Sequence, residues 1–281
     1  MLALLAAGTL SYPQIDPILI EIGPLAIRWY SLAYIGGIIF AWWYIRRLSA
    51  RPGAAMSALH IDDFITWAVF GIILGGRLGY VLFYNFSAYL SDPLAILRLW
   101  DGGMSFHGGF AGVFISVIIY CRKHKLDLMR VADVIAIVSP IGLLTGRLAN
   151  FINGELWGRP TDVAWAMVFP SDTYGVPRHP SQLYEAIGEG LILFLVLQYM
   201  YHKTRIAKDM PGVIAGTFIA GYGLVRLLVE FVREPDAHIG LVAGISRGQI
   251  LSVPMFLLAA WLFSKGLRYK AEKANNTKVS K

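Results

Sequence analysis

The chain has 281 residues, of which 56% are hydrophobic and 15% charged, and its mean hydropathy is +0.56. Roughly a quarter of the residues in a soluble domain are charged, so this composition excludes a disordered or fibrous chain and favours a membrane protein. The single cysteine excludes a disulfide-built scaffold. In a soluble protein, a formal net charge of +7 would suggest a nucleic-acid partner. In this chain, the interpretation depends on where the basic residues lie relative to the apolar segments.

The N-terminal segment 1–10 is apolar but too short to cross a membrane. The first basic residue is Arg28, so the segment lacks the positively charged start of a secretory signal. Pro13 and Pro17 follow it directly. We predict a short amphipathic or membrane-surface segment, and an apolar N-terminus that arises by chance is the alternative.

Seven later segments are apolar enough to cross a bilayer core of about 30 Å, which needs about 20 helical residues. They are residues 24–45, 63–86, 103–121, 131–153, 183–201, 212–232 and 247–264. The fifth begins with Glu185 and Glu189, so its start is ill-defined. The sequence predicts an all-α integral membrane protein with seven transmembrane helices, forming one polytopic membrane domain over residues 1–281.

Basic residues are unevenly distributed among the predicted loops. The loops after the first, third and fifth spans, with the C-terminal tail, hold 16 of the 25, and the opposite loops hold 6. By the positive-inside rule, we expect the N-terminus on the outer side of the membrane and the basic tail at about 265–281 in the cytoplasm. The same asymmetry accounts for most of the net charge, and no nucleic-acid partner is required.

Polar side chains inside the predicted spans share one depth. Ionisable groups are costly in a membrane and usually mark a functional site. At 1.5 Å per residue, they lie between roughly 20 and 30 Å above the cytoplasmic face. The group comprises Tyr30, Arg77, His107, Arg147, Arg226 and Glu230. Independent structural ion pairs would have no reason to share the outer half of the bilayer.

Helical spacing places several of these groups on common faces. Tyr222, Arg226 and Glu230 are spaced i, i+4, i+8, and Arg147 and Asn150 are spaced i, i+3. Three arginines in the spans against one glutamate predict a buried excess of two positive charges. The planar guanidinium suits a phosphate, so we expect the anionic headgroup of an outer-leaflet phospholipid as ligand.

His107 lies between glycines, which permit the close approach of a ligand. A histidine can take a proton from a thiol or hydroxyl, although a hydrogen bond to a neighbouring helix is the structural alternative. Cys121 is predicted at the opposite depth, so we interpret it as structural. The sequence has no nucleophile motif and no metal-binding motif. We expect no metal and no cofactor, and a nucleophile that arrives with the substrate.

The main alternative is a transporter or channel for an anion or an anionic lipid, which intramembrane arginines would also serve. The inner halves of the spans contain few ionisable groups, and no inverted repeat is evident. A retinal protein would need a lysine deep in its last span, and residues 251–263 contain none.

Residues 146–159 read GRLANFINGELWGR. The motifs RWY at 28–30, GGRLGY at 75–80 and SFHGG at 105–109 precede them. RHPSQLYE at 178–185 and GYGLVR at 221–226 follow, with Glu230-Phe231 beyond. In content and order, these motifs resemble the bacterial prolipoprotein diacylglyceryl transferases.

The resemblance implies an enzyme of lipoprotein biosynthesis in the bacterial cytoplasmic (inner) membrane. Such an enzyme moves the diacylglyceryl group of phosphatidylglycerol to the lipobox cysteine of a prolipoprotein. A thioether forms and glycerol 1-phosphate leaves, as the first step of lipoprotein maturation. The implied partners are therefore an anionic lipid and a preprotein that carries its own nucleophile.

The resemblance also implies roles for individual residues. Arg147 and Arg226 would grip the lipid phosphate, Glu230 would orient Arg226, and His107, or a phosphate oxygen in its place, would take the thiol proton. The expected substrate-binding residues are Tyr30, Arg147, Asn150, Glu155, Gly158 and Tyr222. We expect Arg77 to brace the helices, and residues 154–181 to form a small periplasmic cap.

Overall fold

The structure is a computed structural model that describes residues 10–23, 25–234 and 247–279. The surface segment predicted at 1–10 lies outside the described residues, apart from Leu10. The chain divides into two compact units. One comprises Met1–Ala41 and Ala132–Lys281, and the other comprises Trp42–Val131.

A β-hairpin occupies the start of the first predicted span. Strand β1 (Ile18–Ile22) pairs antiparallel with β2 (Leu25–Arg28), and Gly23 lies between them with φ +58°. Isoleucines alternate along β1, a pattern that favours β structure, and glycine accepts the left-handed backbone of the turn. Helix α1 (Trp29–Ser49) therefore begins at residue 29, and the predicted start at residue 24 is wrong.

The second unit is built on two long antiparallel helices, α2 and α4, which pack against each other. Ser57 caps α2 by accepting a hydrogen bond from the amide of His60, and Ser105 caps α4 through the amide of Gly108. A short helix and two 3₁₀ turns connect them. The elements are α2 (Ala58–Phe83), α3 (Phe86–Ser91), the turns Pro93–Leu97 and Leu99–Asp101, and α4 (Phe106–Lys123).

The remaining helices belong to the first unit, except for the start of α5. They are α5 (Leu128–Ala136), α6 (Ser139–Ile152), α7 (Ser181–Glu185), a π-helix (Ala186–Ile192), α8 (Leu193–Lys203), α9 (Ile206–Asp209), α10 (Val213–Val229) and α11 (Arg247–Val279). The predicted fourth span is thus interrupted before Ser139, where Pro140 cannot donate a backbone hydrogen bond. The predicted tail continues the last helix to residue 279.

Four helical stretches in the described residues are long and apolar enough to cross a membrane. They are Ala58–Phe83, Leu128–Ile152, Ser181–Lys203 and Gly248–Asn276, and Val213–Val229 is a shorter apolar helix. The structure is therefore that of a mostly helical membrane protein. These helices lie close to five of the seven predicted spans.

One buried carboxylate fixes the start of α10. Asp133 on α5 accepts hydrogen bonds of 2.8 Å from the amides of Gly212 and Ala215. Gly212 has a left-handed backbone at the N-cap position of α10. The carboxylate thereby satisfies amides that have no partner within their own helix. It also ties α10 to α5, the helix that precedes α6.

Glycines bring α2 and α4 into direct backbone contact. A Cβ atom on Gly112 would lie 3.0 Å from the Cα of Gly75 and still closer to the carbonyl of Gly71. At these positions, the glycines therefore allow the backbones of α2 and α4 to approach closely, as small residues do between membrane helices. Gly146 on α6 shows the opposite, because a Cβ there meets nothing within 4 Å.

We predict that Gly112→Ala destabilises the protein, whereas Gly36→Ala does not. A methyl group at residue 112 would push two helix backbones apart, and overpacking costs about 1–3 kcal/mol. A Cβ at Gly36 on α1 meets nothing within 4 Å, so this variant is the matched control. Thermal unfolding in detergent measures the effect. Equal melting temperatures for the two variants would contradict the prediction.

Candidate functional site

Arg147 on α6 is held by two fully buried carboxylates from the next long helical segment. Its Nε and Nη2 donate to Oε2 of Glu189 at 3.3 and 3.2 Å. Its Nη1 lies 3.2 Å from Oε2 of Glu185. Both glutamate side chains are 0% exposed, and that of Arg147 is 15% exposed. Arg147, which was predicted to bind phosphate, is thus already held in one orientation, and part of its side chain remains accessible.

Arg226 on α10 reaches the same carboxylate from the other side. Its Nη1 is 2.5 Å from Oε1 of Glu185, and its Nη2 is 3.4 Å from Oε2 of Glu230. Arg233, just beyond α10, adds a third guanidinium 3.1 Å from Oε1 of Glu185. The predicted pair of Arg226 and Glu230 is confirmed, but Glu185 is the nearer partner of Arg226.

The charge balance of this arginine–glutamate cluster differs from the expected one. Three arginines face three glutamates, so the cluster is formally neutral and the predicted excess of two positive charges is wrong. The cluster comprises Arg147, Glu185, Glu189, Arg226, Glu230 and Arg233. Glu185 and Glu189 were missed because they lie at the start of a span, where charged residues are ordinary. Their i, i+4 spacing places both on one helix face, and this was the sequence feature that could have indicated a shared role.

The π-helix carries Glu189 and follows Glu185 directly. Two of its glycines bring neighbouring helices close, because a Cβ on Gly188 would meet Val225 of α10 and one on Gly190 would meet Leu144 of α6. Single-turn π segments are frequent at functional sites. Here the segment places a buried carboxylate between the two helices that supply Arg147 and Arg226.

Asn150 and Glu155 form a polar pair at the end of α6. Glu155 Oε1 accepts from Nδ2 of Asn150 at 2.9 Å and from Nδ2 of Asn153 at 3.2 Å. The turn between them uses left-handed backbone at Gly154 and also at Leu156. Glu155 therefore orders this turn, and it holds the amide of Asn150 in one orientation.

The two predicted tyrosines lie at the edge of the cluster. Tyr222 on α10 is near enough to Arg147 and Arg226 for electrostatic interaction. The hydroxyl of Tyr30 is 3.3 Å from that of Tyr34, which in turn interacts electrostatically with Arg147. Neutral hydroxyls beside guanidinium groups can add hydrogen bonds to a bound phosphate ester.

His107 and Arg77 belong to the second compact unit. His107 lies exposed in the first turn of α4. Arg77 is buried, and its five hydrogen bonds, equal to the number of its N–H donors, all go to backbone carbonyls. The acceptors are Ala95, Ile96, Arg98, Gly102 and Gly103. Arg77 therefore braces the segment that precedes α4.

The predicted cap at 154–181 has a core of its own, in which Tyr12 packs with Phe151, Met167 and Phe169. The hydroxyl of Tyr12 donates to the carbonyl of Phe151 at 2.6 Å. Tyr12 thus completes the cap core, a long-range contact that sequence reasoning did not predict.

Gly158 lies where the cap backbone packs most tightly. Its amide donates to the carbonyl of His179 at 2.8 Å, and a Cβ would collide with His179 and with the carbonyl of Val232. Any larger residue would separate these segments. The predicted binding residue therefore has a clear packing function in the structure.

Arg178 clamps the cap from within. Its Nε and Nη2 contact the carboxylate of Asp172 at 2.7 and 3.1 Å, and its guanidinium lies 3.9 Å from the ring centre of Trp157. Burial raises the pKa of the Asp172 carboxyl, but hydrogen bonds from Arg178 and from the amides of Tyr174 and Val176 outweigh it. The pKa is therefore held below its ordinary value.

We predict that Asp172→Asn loosens the cap at neutral pH by roughly 1–3 kcal/mol. The buried Arg178 then loses the carboxylate charge beside its Nε and Nη2 and keeps only Glu234, which it contacts through Nη1. Because the folded pKa is lowered, the wild-type advantage is complete above the ordinary value of about 4 and disappears as the pH falls through the folded value. Amide hydrogen exchange of the cap measures this difference in stability between wild type and variant.

The exposed Asp162 in the same segment supplies the matched control, and Asp162→Asn should leave exchange unchanged. An advantage of wild type over Asp172→Asn that did not shrink as the pH was lowered below about 4 would refute the proposed origin of the effect.

The fold and the site define a class: a helical membrane protein with a buried, partly accessible arginine–glutamate cluster and a folded segment at 154–181 that has its own apolar core. In the part of the chain that the structure describes, no three His, Cys, Asp or Glu residues come together as metal ligands.

Residues 17–265 match the sequence model of the family described as prolipoprotein diacylglyceryl transferase. The chain is 54% identical over 264 residues to the phosphatidylglycerol–prolipoprotein diacylglyceryl transferase of Rhodospirillum rubrum, covering 93% of this chain and 96% of that protein. It is 51% identical to the protein of the same name from Brucella canis, over 96% and 99% of the two chains. The chain belongs to the prolipoprotein diacylglyceryl transferase family.

Proposed function

We infer that this protein transfers the diacylglyceryl group of phosphatidylglycerol to prolipoproteins. Its relatives carry that activity in their names and match nearly the whole chain. The structural observation that best supports it is the pair of partly exposed arginines, Arg147 and Arg226, joined through one buried glutamate. The names of the relatives favour this transferase over an anion transporter.

The reaction requires one bond to form and one to break. The sulfur of the lipobox cysteine attacks the glyceryl carbon that bears the phosphate ester, and the C–O bond at that carbon breaks. The bonding electrons leave with the oxygen, so glycerol 1-phosphate departs and a thioether remains. The thiol proton passes to His107 or to a phosphate oxygen. We favour His107 because a neutral imidazole is a suitable base near neutral pH.

The cluster supplies the electrostatic part of this chemistry. Negative charge accumulates on the leaving phosphate, and preorganised guanidinium groups stabilise such charge most effectively in a site shielded from water. Arg147 and Arg226 retain 15% and 19% side-chain exposure, which leaves a face of each for the lipid. Glu230 restrains Arg226 from within its own helical stretch. The proposed catalytic residues are therefore His107, Arg147, Arg226 and Glu230.

The remaining predicted residues would place the lipid headgroup. Tyr30 and Tyr222 would donate hydroxyl hydrogen bonds, and the amide of Asn150 would act from the position that Glu155 gives it. Gly158 would keep the cap closed against the end of α10.

We propose that the whole chain is one membrane domain with seven transmembrane helices in the bacterial inner membrane. Helices α1 and α4 would supply the two spans beyond the apolar helices described above, because their 21 and 18 residues approach the required length. The N-terminus and the cap would be periplasmic, and the basic end of α11 cytoplasmic. This orientation follows the distribution of basic residues.

In vitro lipidation tests the function. Purified protein in detergent receives phosphatidylglycerol and a lipobox peptide, and mass spectrometry follows the peptide. We expect a mass gain of one diacylglyceryl group, and none when serine replaces the lipobox cysteine. Arg147→Ala should lower the rate by on the order of 100-fold or more, because each lost donor to developing charge costs that much.

Arg98→Ala is the matched control, since this exposed arginine pairs with Asp92 and Asp101 outside the cluster. It should retain the wild-type rate. A folded wild type that binds phosphatidylglycerol but yields no mass gain would refute the transferase function.

A further inference from the structure

Glu189 is a buried carboxylate to which the proposed chemistry assigns no task. Its side chain is 0% exposed, and only one of its two oxygens, Oε2, accepts hydrogen bonds from Arg147. The other oxygen, Oε1, is buried and accepts no hydrogen bond within the described residues. Such a half-satisfied ion pair contributes little to stability, because removing charges from water costs about as much as their attraction returns.

The contact geometry indicates what the carboxylate does. A guanidinium presents a side edge, formed by Nε and one terminal nitrogen, and an end edge, formed by both terminal nitrogens. Glu189 occupies the side edge of Arg147. Rotation of the guanidinium about its long axis would break both hydrogen bonds. The end edge, which suits bidentate phosphate recognition, is thereby fixed in direction.

Glu185 cannot do this alone. Its contact with Arg147 is a single one through Nη1 at 3.2 Å, and its other oxygen is shared by Arg226 and Arg233. A single contact restrains the distance of a planar group but leaves its rotation free. Only Glu189 among the described residues contacts the side edge through two nitrogens of Arg147.

We propose that Glu189 is a positioning residue that sets the rotation of Arg147 and so aims its end edge at the phosphate of the lipid substrate. This inference rests on the proposed function. Glu189 touches Arg147 and has no direct role on the reacting atoms. The contribution is needed most in the transition state, when charge on the departing phosphate is greatest.

The test compares Glu189→Gln and Glu189→Asp with wild type in the lipidation assay, with kcat and KM for phosphatidylglycerol measured separately. Glutamine keeps the size but removes the charge that holds the guanidinium. We expect kcat to fall by about 10- to 100-fold, because small misplacements of catalytic groups have effects of this size. KM should stay within about threefold, since the arginine remains available to bind phosphate. Aspartate should restore part of kcat.

Gln198→Leu is the matched control for loosened helix packing. Gln198 lies on α8, in the same helical stretch, and donates to the carbonyl of Ile137 at 3.0 Å, ahead of α6. Its loss disturbs the same pair of helical stretches without touching Arg147. Melting temperatures establish that each variant is folded, and Glu189→Asp carries the test if Glu189→Gln does not fold.

A fall in kcat at constant KM, partial recovery with aspartate and unchanged kinetics in Gln198→Leu would support the proposal. It would be overturned if the folded Glu189 variants kept wild-type kcat, if only KM changed, or if Gln198→Leu lost as much activity. Failure of the proposed function looks different, because wild type itself would then produce no lipidated peptide.

Discussion

One carboxylate, Glu185, connects three guanidinium groups and is the contact on which the site depends. It meets Arg147 from α6, Arg226 from α10 and Arg233 from the segment after α10. Like charges would drive these arginines apart in a medium of low dielectric constant, so a shared anion is a condition for their proximity. The separation of Arg147 and Arg226, the two arginines proposed to bind phosphate, is therefore set by the size of a single carboxylate.

The backbone is arranged to bring this carboxylate into place. Glycines at 188 and 190 let the π-helix lie against α6 and α10, where larger residues would meet Val225 and Leu144. Asp133 fixes the beginning of α10. The sequence uses small residues to set the distances between helices, and buried ionic groups to set their alignment.

The chain pattern predicted the helical membrane class and singled out Arg147 and Arg226, because charges inside apolar spans stand out. It did not single out Arg233, which lies just beyond α10. It did not predict the roles of Glu185 and Glu189, since carboxylates at a span boundary look like ordinary interfacial residues. It misplaced the start of the first helix, where short-range β preference prevailed at residues 25–28. The contribution of Tyr12 to the cap needs contacts across about 140 positions, which local periodicity does not contain.

The hydrogen bonds of Arg77 to its neighbouring segment should not depend on ionic strength. Dissolved salt weakens exposed ion pairs such as that of Arg98 with Asp92, because mobile counterions screen both charges. Arg77 is buried and is bound by neutral carbonyl groups, so counterions have no second charge to screen. The segment that leads into α4 is therefore fastened by a contact that is indifferent to the salt content of its surroundings.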